Sequence, residues 1–274
     1  MSELQKYIDT REISDKTITN YHNQYNRITE LLNTTNTRNI DDDTIIKAIE
    51  TIDKPNTQRD LITLIILIKE AHNIDTNKLT KYKQNVIYKK INSYNNQKKE
   101  ILKKNLPTQD ELINYLNGLY ETHKWCEYIV NYLIYFFNVR NKDIDLFITD
   151  KRDKITKGKN YLYLTNDKII YLRQDYKTQK HYGDKYNEIN DKKFINAVKK
   201  YGLNKYLLNT LEGDRIAETS LNKKVSNMTF EKLGVNKIFK AILQDKNNII
   251  DYKNISENRG TAINTLLEYY DTKF

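Results

Sequence analysis

Apolar residues in the first third of the chain recur at steps of three and four. Ile18, Tyr21, Tyr25, Ile28, Leu31 and Leu32 predict a helix capped by Ser14-Asp15-Lys16-Thr17. Asp41-Asp42-Asp43 opens a second, through Ile45, Ile46 and Ile49, where acids suit the positive end of the helix dipole. Pro55-Asn56 introduces a third over Thr57 to His72. Its run Leu61-Ile62-Thr63-Leu64-Ile65-Ile66-Leu67-Ile68 is apolar on nearly every side, which puts it at the centre of a small bundle. A fourth helix is predicted from about Thr76 to Ser93.

The pattern restarts at Leu106-Pro107-Thr108-Gln109-Asp110-Glu111-Leu112. Thr108 and Glu111 have the spacing of a capping box, so a helix should follow to about Tyr120. A strongly apolar helix comes next, through Ile129, Leu133, Ile134, Phe136 and Phe137, and stops at Asn138-Val139-Arg140. Short strand signals then appear at Leu146–Thr149, Tyr161–Thr165, Lys168–Leu172 and around Tyr186 to Ile189. Asn166-Asp167 turns the second of these into the third. A polar loop, Asp175 to Asp184, precedes the last. Helical patterns resume at Lys192 and persist to the end.

The expected fold is therefore mainly α with a small β-sheet. A helical bundle over residues 1–95 is followed by a basic linker, 96–107, and an α+β domain, 108–274. A length of 274 residues suits two domains, each able to bury a core.

Composition changes the picture in two ways. The net charge of +10 favours a polyanionic partner. Nine lysines and one acid, Glu100, lie between Lys78 and Lys104, a basic strap across the predicted linker. A single cysteine, Cys126, excludes an internal disulfide and a cysteine zinc site, and the four histidines show no ligand spacing. No metal or other cofactor is expected. No signal-peptide pattern opens the chain and no apolar run spans a membrane, so no membrane partner is expected. The expected setting is intracellular.

Candidate chemistry gathers late. Arg259-Gly260-Thr261-Ala262-Ile263-Asn264-Thr265-Leu266-Leu267-Glu268-Tyr269-Tyr270 reads as a small-residue turn before a short amphipathic helix that presents a tyrosine. Ile263, Leu266, Leu267 and Tyr270 share one face, which leaves Tyr269 beside it and free to face a cleft. Tyr270 is the competing nucleophile. Upstream stand Arg140, directly after the apolar helix, and Lys177, in Tyr176-Lys177-Thr178.

In this order the chain resembles the tyrosine recombinases, the phage-integrase family whose catalytic fold is shared with type IB topoisomerases. The resemblance spans nearly the whole length and implies a helical core-binding domain before a catalytic domain. It implies that Arg140 is the first catalytic arginine and that Lys177 is the general acid, with Lys180 and Lys185 as alternatives. Tyr269 is implied as the nucleophile, nine residues after Gly260, which stands where the family carries His or Trp. The helix matching the family's His-x-x-Arg motif, Gly234 to Leu243, has neither residue; Lys237, Lys240 or Arg259 would have to supply the missing charge.

The resemblance implies double-stranded DNA as substrate, a homotetramer during recombination, and a 3′-phosphotyrosyl intermediate formed without metal. It implies a setting in cytoplasm, nucleus or a viral factory, wherever target DNA lies. It suits an integrase or resolvase of a mobile element or virus. Two other functions share these residues: a catalytically degenerate DNA-binding factor, and a type IB topoisomerase-like enzyme.

Overall fold

Side chains of Ser14, Asp41, Thr108 and Asp191 cap the starts of four of the described helices. The computed structural model describes residues 3–9, 13–210, 212–244, 246 and 249–267. These form two units, residues 1–101 and 102–274, and the fold is mostly helical with one small sheet.

The first unit holds α1 (Glu3–Asp9), α2 (Asp15–Leu32), α3 (Asp42–Glu50), α4 (Pro55–Ala71), α5 (Asn77–Tyr82) and α6 (Tyr88–Lys104). Ser14 accepts from the Thr17 N–H and Asp41 from the Thr44 N–H, so each satisfies a donor that its helix would leave bare. As its pattern demands, α4 is the central helix, with Leu61, Ile62, Leu64, Ile65, Ile66 and Ile68 all buried. Near its end the buried Lys69 donates to Asp42 at 2.6 Å and to the Ile40 carbonyl at 2.9 Å. That pair ties the end of α4 to the first turn of α3.

The second unit begins with α7 (Gln109–Glu121), whose Thr108–Glu111 capping box forms in both directions. Then come α8 (Trp125–Phe137), β1 (Leu146–Thr149), β2 (Asn160–Leu164), β3 (Ile169–Arg173), α9 (Gln179–Tyr182), β4 (Lys185–Ile189), α10 (Lys192–Tyr201) and β5 (Lys205–Tyr206). The rest is α11 (Glu218–Met228), α12 (Val235–Gln244), α13 (Ile249–Arg259) and α14 (Ile263–Thr265). Every residue from Tyr128 to Tyr135 of α8 is buried, and α7, α10, α11 and α12 pack around it. The sheet has the order β4-β3-β2-β1-β5, with β1 and β2 parallel and the other pairs antiparallel.

The structure departs from the sequence reading in several places. The pattern gives no sign of α1; Leu4, Tyr7 and Ile8 bury it against the bundle despite its brevity. The stretch expected as a linker, 96–107, is helical as far as Lys104, and the unit boundary falls at Ile101 and Leu102. Between Tyr88 and Leu106 no Gly or Pro interrupts the chain, so nothing stops the helix before Pro107. The fourth helix is broken by a π-helical stretch, Lys83–Ile87, that separates α5 from α6. The polar loop contains the single turn α9. Helix does not run unbroken from Lys192: β5 pairs Tyr206 with Phe147, and an isolated bridge joins Asn209 to Arg215. No described helix is long and apolar enough to cross a membrane.

Candidate active site

Three cations of the second unit converge on one turn, the end of α13 and the Gly260-Thr261 that follows, and a fourth, Arg259, belongs to the turn itself. Each arrives from a different element. Arg140 comes from the segment after α8, where Asn138 ends the helix in a left-handed conformation at φ 53°. Arg173 closes β3. Lys185 opens β4 and is the cross-strand partner of Arg173. Arg259 is the last residue of α13 itself.

Their bonds have a reciprocal logic. A helix end leaves carbonyls unpaired and carries partial negative charge, so cations settle there. Arg140 donates to the Arg259 carbonyl at 2.5 Å, the Gly260 carbonyl at 3.4 Å and the Thr261 hydroxyl at 2.5 Å. Arg173 donates to the Asn258 carbonyl at 2.8 Å, and Lys185 to the Glu257 and Asn258 carbonyls. In return, Arg259 donates to the Asn138 carbonyl at 3.0 Å and the Val139 carbonyl at 3.4 Å, so it caps α8. Its guanidinium lies 3.7 Å from the centre of the Phe239 ring and donates to Asn236 at 2.9 Å. Arg140 therefore closes α13, while Arg259 closes the helix that leads to Arg140.

Charge balance in this nest is uneven. Asp143 is the carboxylate inside it, buried, 3.6 Å from Arg173 and accepting from the Arg140 N–H at 3.2 Å. Burial pushes the Asp143 carboxyl above its usual range, with Arg173 pulling the other way. Lys185 sits 5.3 Å from the ring centres of both Tyr176 and Tyr182. Burial, reinforced by Arg173, lowers its pKa to about 8, with Asp143 opposing, so this lysine holds its proton more loosely than a surface lysine does. Arg173 is fully buried, and its Nε finds no partner among the described residues.

Gly260 sits in a close-packed turn. Its φ of +61° is left-handed, and a Cβ there would collide with the Thr178 hydroxyl and press on the Tyr176 ring at 3.2 Å. Thr178 also donates to the Gly260 carbonyl at 2.8 Å. Any side chain here requires Thr178 to shift and a residue other than glycine to adopt a left-handed backbone, so the packing of the Tyr176–Thr178 segment favours glycine. Gly260→Ala should destabilise the protein by about 2–4 kcal/mol, from the left-handed backbone and from overpacking. Gly118→Ala, in α7 with open space around it, should instead stabilise by about 0.5–1 kcal/mol. Urea unfolding midpoints of the two variants, moving in opposite directions, check both.

The sequence-derived candidates separate as follows. Arg140 and Arg259 both lie in the nest, but the Arg259 guanidinium turns towards α8 and α12. Lys177 is exposed, next to Thr178, and Lys185 is the lysine that reaches the turn. Lys237 is exposed and Lys240 half-buried on α12, which meets Arg259 through Asn236 and Phe239. Tyr269 and Tyr270 lie outside the described residues. Sequence reasoning misses Arg173. Its signal was available: at period two it shares the face of Ile169 and Tyr171, both fully buried, so a cation there needs a dedicated partner set.

No protein-family model matches the chain, and no curated protein matches it. Among solved structures it is similar to the crystal structure of XerA recombinase, at 13% identity over 98% of this chain and 92% of that one, with a TM-score of 0.39.

Proposed function

We propose that the protein binds double-stranded DNA and breaks and rejoins a strand through a 3′-phosphotyrosyl intermediate, as a site-specific recombinase. The observation that carries this reading is the convergence of Arg140, Arg173 and Lys185 on the turn that leads, through Leu266 and Leu267, to Tyr269. Guanidinium groups bind the non-bridging oxygens of a phosphodiester and stabilise the charge of its five-coordinate transition state. A phenol with pKa about 10 attacks only when that charge is stabilised and its proton is removed. A lysine protonates the departing 5′-oxygen, with Lys177 and Lys185 as the two candidates. The bond energy stays in the phosphotyrosyl link, so a second strand can attack it. Recombination between two sites would then engage four copies of the chain.

A duplex nicked near a candidate site tests the reading. Strand cleavage releases a short fragment and traps a covalent adduct visible on a denaturing gel. Retained duplex binding with no adduct on the protein's own sites supports instead the second reading, a DNA-binding factor of the same fold. The missing His-x-x-Arg motif favours that alternative.

Binding itself should be electrostatic. Tyr88, Lys89 and Lys90 of α6 are exposed, beside the exposed Lys81. Replacing Lys89 and Lys90 with alanine should weaken binding to all duplexes alike. It should also flatten the plot of log affinity against log salt by about 1 for each phosphate that is no longer neutralised. Fluorescence anisotropy over a salt series measures this; an unchanged slope would remove α6 from the interface.

A further inference from the structure

We infer that the turn at 257–261 occupies a phosphodiester site, its carbonyl oxygens standing where phosphate oxygens bind, and that DNA must displace it. This rests on the reading of the cation nest as a DNA site and adds how the site is regulated. The oxygens that saturate the nest are four consecutive carbonyls, Glu257 to Gly260, and the Thr261 hydroxyl. They present to Arg140, Arg173 and Lys185 a compact set of acceptors with no formal charge. A phosphodiester presents the same kind of acceptors with a full negative charge. Charge-assisted hydrogen bonds are roughly twice as strong as neutral ones. With Asp143 as the carboxylate inside the nest, the exchange is electrostatically favourable.

The apolar anchorage of the turn is small, and its main polar anchor is the buried Arg259, whose bonds to the Asn138 and Val139 carbonyls must break on release. The turn belongs to a small apolar cluster of its own, in which Tyr252, Ile255 and Leu266 pack on Phe239 and Leu243, apart from the large core around α8. Segments held by small satellite clusters open at lower free energy than the global fold. Gly260 supplies a left-handed joint between α13 and α14, and Thr178 latches it through one hydrogen bond. Release of this strap would free Arg140 and Arg173 and re-aim the chain that carries Tyr269 in the same step.

Hydrogen exchange on the full chain, with and without a saturating duplex, reads the release. Amides of 257–267 should exchange about tenfold faster or more in the complex, while those in the middle of α8, away from the end that Arg259 caps, should not. Thr178→Val removes the latch without touching a cation. If the turn competes with DNA, this variant should bind duplex about two- to tenfold more tightly, the factor carried by one hydrogen bond. Slower or unchanged exchange over 257–267 in the complex overturns the inference, as does unchanged or weaker binding by Thr178→Val. Tighter binding by this variant with no covalent adduct would keep the inference and remove strand cleavage. Absence of duplex binding by either protein overturns both.

Discussion

Tyr269→Phe is expected to abolish covalent attachment to a nicked duplex while changing duplex affinity less than about threefold. In the proposed reaction the hydroxyl is the bond-forming atom, so its loss would remove the chemical step outright, whereas phosphate contacts would supply the affinity. The largest effect of any single change should therefore fall on a residue that contributes little to binding. Tyr270→Phe is the necessary companion. In the sequence pattern Tyr270 falls in step with Ile263, Leu266 and Leu267, of which Leu266 is fully buried. Its substitution should leave adduct formation largely intact. An adduct lost in Tyr270→Phe and kept in Tyr269→Phe would exchange the two roles. Adduct yield on denaturing gels, paired with anisotropy on the same samples, separates the outcomes.

The second large effect is expected at Arg140. Alanine there should slow adduct formation by about 10²- to 10³-fold, the range for removing a preorganised donor to a developing oxyanion. Lysine should recover little of this loss, because a single ammonium cannot reproduce the fork that reaches the Arg259 carbonyl and the Thr261 hydroxyl together. Duplex affinity should fall only by the share of one phosphate contact. A comparable loss in Arg259→Ala would have a different origin. That side chain caps α8 and stacks on Phe239, so its removal should lower the unfolding midpoint as well as the rate. Arg140→Ala should lower the rate with a smaller change in midpoint. Rate and stability measured on both variants distinguish a group that meets the phosphate from one that holds the helix.

Much of the fold is legible in the sequence because its signals are local. Ser14, Asp41 and Thr108 cap helices through atoms three residues away, and the apolar run from Leu61 to Ile68 needs no partner to declare itself buried. The strands over Leu146–Thr149 and Ile169–Arg173 show as short apolar runs bounded by polar turn residues. What stays hidden depends on distant residues. β5 is two residues long and exists because Phe147 and Ile148 offer an edge to Tyr206 and Lys205. The helix through Lys104 reads as a linker because lysine and asparagine resemble solvent-facing loop, although nothing in the stretch breaks a helix. Its lysines read as a strap in either case.

The candidate site divides along the same line. Arg140 is legible from its place after an apolar helix that must end at Asn138. Gly260 is visible as an anomaly, and its reason lies in Tyr176 and Thr178, more than eighty residues upstream in sequence. Lys185 and Arg173 owe their proximity to the β3–β4 register, which sequence spacing does not reveal. Only the sheet brings both cations to α13. Lys177 has the more suggestive neighbours in sequence, Tyr176 and Thr178, yet those neighbours are the ones that touch the turn.

A 3′-phosphotyrosyl bond formed by this chain, as proposed, can be located. Protein trapped on a nicked duplex would be digested with nuclease and protease, and the peptide carrying the residual nucleotide sequenced by mass spectrometry. One modified peptide is expected, with the nucleotide 3′-phosphate on Tyr269. A nucleotide on any tyrosine other than Tyr269 or Tyr270, or duplex bound with no modified peptide at all, would contradict the proposal.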